Sequence, residues 1–525
     1  MFLNNKSQLK EFPILLGLTI YSFIINWFSG NIGVLPIDSF GFLDTGYSIL
    51  HGKLPIRDFW IFTGLTVDYM EAFFFLIFGN NWNSHLAHAS FMNIIATISF
   101  YIFFRSLDLK LIPSTLYSLS FATLCYPVTG TPFAYIHSYI FSWLSIIILI
   151  LAIKHKKNFF WFLLPFLCFF SFLSMQTPAS YISVILLITI SFYLLTYRDF
   201  KSFKIFLVGC FSSLILFIFF LFITKTPIIN FIYQYILFPL TIGEGRLSSS
   251  ESAYISLADQ LNFKRIFSDF KFIHFFLLPL IFMSFKYFKK NKGIVNFVNF
   301  IIISSSLAFL FNQLVTANQI YIFSLIPILA AVLHFNLIRH GSNSKIIILV
   351  CLVVVIASVK FHFRYNLDRK FHDLENVDKS EAINASEIHK NFNNLKWINK
   401  FDNPKIETEV IKKAITVIKD DNREKILITH YQFISTFLEQ NLNLLNRWYL
   451  WDNNTHPTEN HKYFSFYKSM VDENLSSNNI KVIYLLGQEN EISFDKVKNY
   501  FTDKCFKSTT LVEKRFSMHE VKKCK

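Results

Sequence analysis

Four side chains between Leu35 and Gly79 have the types and spacing for acid–base chemistry beside a phosphate: Asp38, Asp44, Arg57 and Asp58. A carboxylate can accept the proton of an attacking nucleophile. Arg stays charged and bonds phosphate through paired N–H groups. Fixed positive charge facing a departing phosphate lowers the barrier. The stretch is too polar to cross a bilayer, and it also carries Asp68 and Glu71, with Gly52 and Pro55 as punctuation. Acidic groups beside lipid cost free energy unless they are solvated, paired or used. Each candidate has a plainer role to set against this one. Asp38 and Asp44 have the residue type of helix caps. Arg57 beside Asp58 is a ready local ion pair or headgroup anchor. Asp68 and Glu71 are expected to solvate one face of an interfacial helix whose other face is Phe73–Phe75.

The elements that must position these groups are apolar. The 525 residues are 53% hydrophobic and 16% charged, against about 25% charged in ordinary soluble proteins. Runs long enough to cross hydrocarbon fall at roughly 12–30, 84–105, 111–128, 137–153, 159–175, 180–197, 204–224, 272–288, 294–312, 319–337 and 345–360, about eleven spans. The first run, Phe12 to Phe28, has no small-residue cleavage site after it and reads as a retained helix.

Charge orients the spans. With Lys6 and Lys10 in the cytoplasm, alternate loops carry Arg105 and Lys110, then Lys154, Lys156 and Lys157, then Arg198, Lys201 and Lys204, then Lys286, Lys289, Lys290 and Lys292, and last Arg339 and Lys345. The opposite loops include uncharged YPVTGTPFAYIHS, SMQTPAS and NQLVTANQ. This pattern follows the positive-inside rule. It expects a multi-pass plasma (inner) membrane protein with a cytoplasmic N-terminus. The first external loop (31–83), a second large one (225–271) and the C-terminal part then share the external side. The net charge of +15 therefore reads as topology and not as nucleic-acid binding. Polar groups gathered at one interface suit an enzyme acting on a lipid headgroup better than a transporter, whose polar groups lie near the midplane.

From Phe361 the composition turns polar. Residues 361–400 read as a linker. In 401–525 the runs KILIT and KVIYLL resemble buried strands and ETEVIKKAITVIKDD has helical spacing, which predicts a small extracytoplasmic α/β domain. Cys125, Cys168, Cys210 and Cys351 lie in or beside apolar runs and read as buried thiols; whether Cys505 and Cys524 pair is left open.

The pattern Asp38…Asp44-x-x-Tyr47…Gly52-x-x-Pro55-x-Arg57-Asp58-Phe59…Tyr69…Ala72…Phe78-Gly79 resembles the first external loop of the GT-C glycosyltransferase superfamily. It is most similar to bacterial relatives of protein O-mannosyltransferase and lipid A aminoarabinose transferase. The resemblance covers about the first 360 residues loosely and this loop best. It implies a 1–360 membrane domain that moves a sugar from a polyprenyl-phosphate donor to a lipid, glycan or protein acceptor. It makes Asp38 the expected base, Asp44 its rival and Asp58 a second acid. The chain departs from the family where an acidic pair reads Asp38-Ser39 and where Pro-Pro after the second acid is missing. A polysaccharide polymerase or ligase, or a lipid-linked-sugar flippase, is the competing reading.

Further candidates are spread along the chain. Arg57, Arg246, Lys264 and Arg265 are candidates for the donor phosphate, set against a basic stripe resting on anionic lipid. His137, Gln176, Asn318, Gln319, Trp448 and His456 are candidates for substrate contact, set against capping and helix-joining roles. The spacing of His456, His461 and Asp452 predicts no metal site.

Overall fold

The computed structural model describes residues 5–248, 257–291, 293–316, 321–501 and 504–522. It is 68% helical, with a small sheet region near the C-terminus. Among the described residues, eight helices are long and apolar enough to cross a membrane: Glu11–Gly30, Trp82–Ser106, Ala134–His155, Gln176–Tyr197, Phe200–Ile223, Ile294–Thr316, Ile322–Arg339 and Ser344–His372. The other three expected spans are helices too, but short ones. Leu111–Leu124, Asn158–Ser174 and Lys271–Lys286 have 14, 17 and 16 residues, a rise of about 21–26 Å against a hydrocarbon core of about 30 Å. The first ends early because Pro127 follows directly in a short 3-10 turn, Tyr126–Val128.

The chain forms two compact units. The first comprises residues 1–30, 89–219 and 254–371. Its helices present apolar side chains outward, among them Phe211, Leu214, Ile215 and Ile218, and join through buried polar side chains. Asn93 donates to the carbonyls of Ser22 and Ala122, both at 3.0 Å. Asn299 and Asn336 exchange amide hydrogen bonds at 3.1 and 2.9 Å. Such contacts join helices where apolar association gives no preference over lipid.

The second unit comprises residues 31–88, 220–253 and 372–525. The stretch expected to be a linker is packed: Phe392, Leu395 and Trp397 are fully buried, and β1 (Ile383–Asn384) pairs antiparallel with β2 (Lys396–Trp397). The main sheet has β3 (Lys425–Thr429), β4 (Val482–Leu486), β5 (Cys505–Val512) and β6 (Phe516–Lys522) in the order β3-β4-β6-β5. The KILIT and KVIYLL runs are its two parallel strands, with Lys425 opposite Val482 and Thr429 opposite Leu486. All residues of β3 and β4 are buried, as a run without alternation requires. Asn403 caps the helix Pro404–Asp420, accepting from the backbone of Lys405 and Ile406.

The core of this unit draws on all three of its segments. Trp60 and Phe238 pack with Ile426, Ile428, Tyr467, Val471, Ile483 and Leu485. The Trp60 backbone joins Leu445 and Arg447 at 2.7 and 3.3 Å. The first loop and the C-terminal residues are thus one folded body, which a boundary at 400 would divide. Cys524 lies outside the described residues.

Candidate functional site

Asp38 sits on a single helical turn, Pro36–Ser39, that is held from several directions. Pro36 starts the turn with its φ already fixed. Leu35 N donates to Ser39 Oγ at 2.9 Å. Trp448 Nε1 donates to the Ile37 carbonyl at 2.8 Å, and His85 Nε2 bonds the Ser39 carbonyl at 3.1 Å. Upstream, Gly33 and Val34 donate to the carbonyls of Lys396 and Ile398, both at 2.9 Å. Phe40 follows, inserted among Trp82, Phe392, Trp397 and Phe433. The backbone is fixed, yet the Asp38 carboxylate makes no side-chain hydrogen bond among the described residues. Desolvation by burial pushes it up to about 7, with His430 opposing.

His85 leads to a group that the sequence reading placed in solvent. Glu71 is fully buried. His85 Nδ1 bonds Glu71 Oε1 and His88 Nδ1 bonds Oε2, both at 2.7 Å. Burial works to raise this carboxyl, but the two imidazoles outweigh it and hold it down at about 2. Asp68, one turn earlier on the helix Leu65–Phe78, is also fully buried. It accepts from Thr45 Oγ1 at 2.6 Å and pairs with Arg447. Arg447 also donates to the Thr63 carbonyl and lies over the rings of Phe42 and Trp448, at 4.5 and 5.0 Å. The expected solvated face of this helix is therefore a buried charged face. The reason is that the C-terminal residues cover it, supplying Arg447 from far along the chain.

The other acidic candidates are engaged by the protein. Asp44 is buried and accepts from Thr436 N at 3.1 Å and Thr436 Oγ1 at 2.7 Å. It thereby caps the helix Ile434–Leu438 from outside. Burial pushes its carboxyl up to about 7 against those bonds. Asp58 accepts from Leu54 N at 2.6 Å and pairs with Arg57 at 2.7 Å. Arg57 donates in addition to the carbonyls of Gly52 and Thr224 at 2.7 and 2.9 Å. The pair closes a turn in which Ile56 has φ of 71°. Its guanidinium donates to protein acceptors, the local ion-pair role set against a phosphate contact at Arg57.

His456 is likewise engaged by the protein. It is fully buried, with Nδ1 against Thr455 Oγ1 at 3.0 Å and Nε2 against Tyr500 Oη at 3.1 Å, and burial pushes it down to about 3. Trp448 is partly exposed but serves the Asp38 turn through its ring nitrogen. Arg246 lies near the end of the helix Phe238–Leu247, partly exposed. His137, Gln176, Lys264 and Arg265 belong to the other unit. There, His137 is buried against Tyr126 Oη at 2.9 Å and the Phe133 carbonyl at 3.1 Å, a packing and capping role. Gln176 opens a membrane-length helix, and Lys264 is exposed. Asn318 and Gln319 lie outside the described residues. No protein-family profile and no curated protein matches the chain.

Sequence reasoning missed the pair formed by His430 and Glu491. His430 directly follows β3, and Glu491 follows β4 by a few residues. His430 Nδ1 bonds Glu491 Oε1 at 2.7 Å. The available signal was position: polar residues just beyond the carboxyl ends of parallel strands line the crevice where ligands bind in such sheets.

Proposed function

We propose that the chain is an integral-membrane glycosyltransferase of GT-C type. It moves a sugar from a polyprenyl-phosphate donor to a lipid, glycan or protein acceptor on the external face of the plasma membrane. The observation that carries the reading is Asp38: a carboxylate on a rigid turn, without a side-chain partner among the described residues, pushed up to about 7. A general base works best when its pKa lies near the operating pH. Support also comes from the loop pattern that resembles the GT-C superfamily, from the alternation of basic and uncharged loops, and from the eight membrane-length helices.

In the proposed reaction Asp38 takes the proton of the acceptor's nucleophile as that atom bonds the anomeric carbon. The carbon–oxygen bond to phosphate breaks and its electron pair leaves on the phosphate oxygen. The products are the glycosylated acceptor, polyprenyl phosphate and protonated Asp38. Arg246, in the same unit as Asp38, is the proposed candidate for the phosphate contact. Asp58 is assigned to the turn and not to proton transfer, because Arg57 and Leu54 N occupy it.

The test uses the purified full chain in lipid vesicles with radiolabelled polyprenyl-phosphate sugars and a mixed acceptor pool. Transfer by wild type and its loss in Asp38→Asn support the reading. Donor crossing the bilayer without cleavage of its sugar–phosphate bond would replace it with the flippase.

A further inference from the structure

The helix Lys271–Lys286 leaves a groove open along one side. Lys271, His274, Phe275, Leu278 and Met283 recur at the spacing of a single helix face. They line a cavity of about 560 Å³, completed by Leu337 and Leu349 on the helices Leu325–Arg339 and Ser344–Phe361. All three helices belong to the first compact unit. From Lys271 to Met283 the wall rises about 18 Å. Half of a hydrocarbon core of about 30 Å is close to that, so the groove has the length of one leaflet's chain.

The groove is apolar along its length and basic at one end. Lys271 lines it and is exposed. Its Nζ lies 6.0 Å from the ring centroid of Phe272, and the exposed Lys360 has Nζ 5.3 Å from the same ring. Two ammonium groups thus share one ring, and neither has an ion pair among the described residues. Like charges so placed repel, and an anion beside them relieves both. His274 lines the groove too: Nε2 donates to the Ile266 carbonyl at 2.9 Å, and the buried Nδ1 has no partner. The positive-inside pattern accounts for Lys286 and Lys345, at the other ends of these two helices, and not for Lys271 and Lys360. A second groove of about 490 Å³, whose walls include Leu164, Phe169, Phe206 and Leu214, carries no cation among the described residues.

We propose that the first groove binds an anionic phospholipid of the bilayer, with its phosphate on Lys271 and Lys360 and one acyl chain laid along Phe275, Leu278 and Met283. Charge complementarity selects an anionic headgroup over a neutral one, and each cation near the surface multiplies affinity for it by about fivefold. Length selects an acyl chain over a polyprenyl chain, which would overrun the groove. The bound lipid touches all three helices and so ties them together. This site does not rest on the glycosyl-transfer reading.

The test uses the purified full chain in phosphatidylcholine vesicles holding a trace of phosphatidylglycerol or phosphatidylcholine with a photoreactive acyl chain. Labelled peptides are read by mass spectrometry. The phosphatidylglycerol probe should label the peptide with Phe275, Leu278 and Met283 in preference to the phosphatidylcholine probe, while the second groove shows no preference. Lys271→Gln with Lys360→Gln should cut that preference by about fivefold for each cation. Leu278→Trp fills the groove and keeps both cations, so it stays informative where the double variant fails to fold; it should lower labelling at Leu349. Equal labelling by the two probes overturns the proposal, as does a preference that survives in the folded double variant or labelling indifferent to Leu278→Trp. Displacement of the probe by polyprenyl phosphate at a smaller mole fraction than by phosphatidylglycerol also overturns it and gives the groove to that lipid. No sugar donor is present, so none of these results bears on the transfer assay.

Discussion

His85 holds Glu71 with one ring nitrogen at 2.7 Å and the Ser39 carbonyl with the other at 3.1 Å. A carbonyl only accepts, so Nε2 carries a proton, and the opposite nitrogen shares a second proton with the Glu71 carboxyl. A buried charge is thereby tied to the backbone one residue from Asp38. Replacing Glu71 by Gln removes the carboxylate that His85 and His88 both bond. The expected loss of stability is about 3–5 kcal/mol, as for other broken buried pairs, and a thermal melt in detergent measures it. The pH sign follows from the lowered carboxyl. Its contribution is complete above the ordinary value of 4.5 and is lost as pH falls toward about 2. The melting temperature of wild type drops through that window, and Glu71→Gln lacks this component.

Asp38 and Asp44 separate by substitution. Asp38→Asn should lower transfer by about 100-fold or more without lowering the melting temperature, because no side-chain bond is lost. Asp44→Ala should cost about 0.5–2 kcal/mol, the range for a lost helix cap, while the folded fraction keeps its turnover. The ratio of turnover to folded protein, measured for both variants, decides between them.

Asp38 also has a signature in pH. The proposed transfer uses its ionised form, so under that proposal the rate should climb as pH passes through about 7. Stability runs the opposite way. A carboxyl raised from 3.8 to about 7 in the folded protein penalises that state once the unfolded chain ionises more readily. Asp38→Asn should therefore melt with wild type near pH 4 and above it at pH 8. Melts at the two pH values check the sign.

Arg447 and Asp68 should be strongly coupled. Arg447→Met leaves the Asp68 carboxylate buried without its cation, at a cost of about 3–5 kcal/mol. The double variant Arg447→Met with Asp68→Asn removes both charges and should recover much of that loss. A double-mutant cycle on melting free energies returns the coupling, and additive losses would refute it.

Arg57 and Asp58 should matter less. Their side chains are 27% and 24% exposed, a setting in which an ion pair contributes about 1 kcal/mol or less. Asp58→Asn is expected to keep most transfer activity; a loss comparable to Asp38→Asn would return Asp58 to the catalytic group.

What the sequence disclosed follows the range of the interactions involved. Apolar runs report burial or lipid contact locally, so all eleven expected stretches fall on helices, although three prove short. KILIT and KVIYLL report buried parallel strands for the same reason. Glu71 misled because its neighbours Phe73 and Phe75 suggested a two-faced helix, whereas its partners His85 and His88 are 14 and 17 residues on. Asp68 and Asp44 pair across 379 and 392 residues, a separation that no spacing rule reaches. Asp38 was a candidate from the loop pattern alone; its lack of a side-chain partner among the described residues was not legible there.

Those separations have a consequence for how the protein is made. Ribosomes add about 5–20 residues per second, so Asp68 leaves the tunnel roughly 20–75 seconds before the Arg447 that neutralises it, across the 379 residues between them. During that interval the nascent loop stands with its acids hydrated and its apolar rings uncovered. The stretch around Arg447 thus completes a loop made long before it, and a stop between the two leaves Asp68 without that cation.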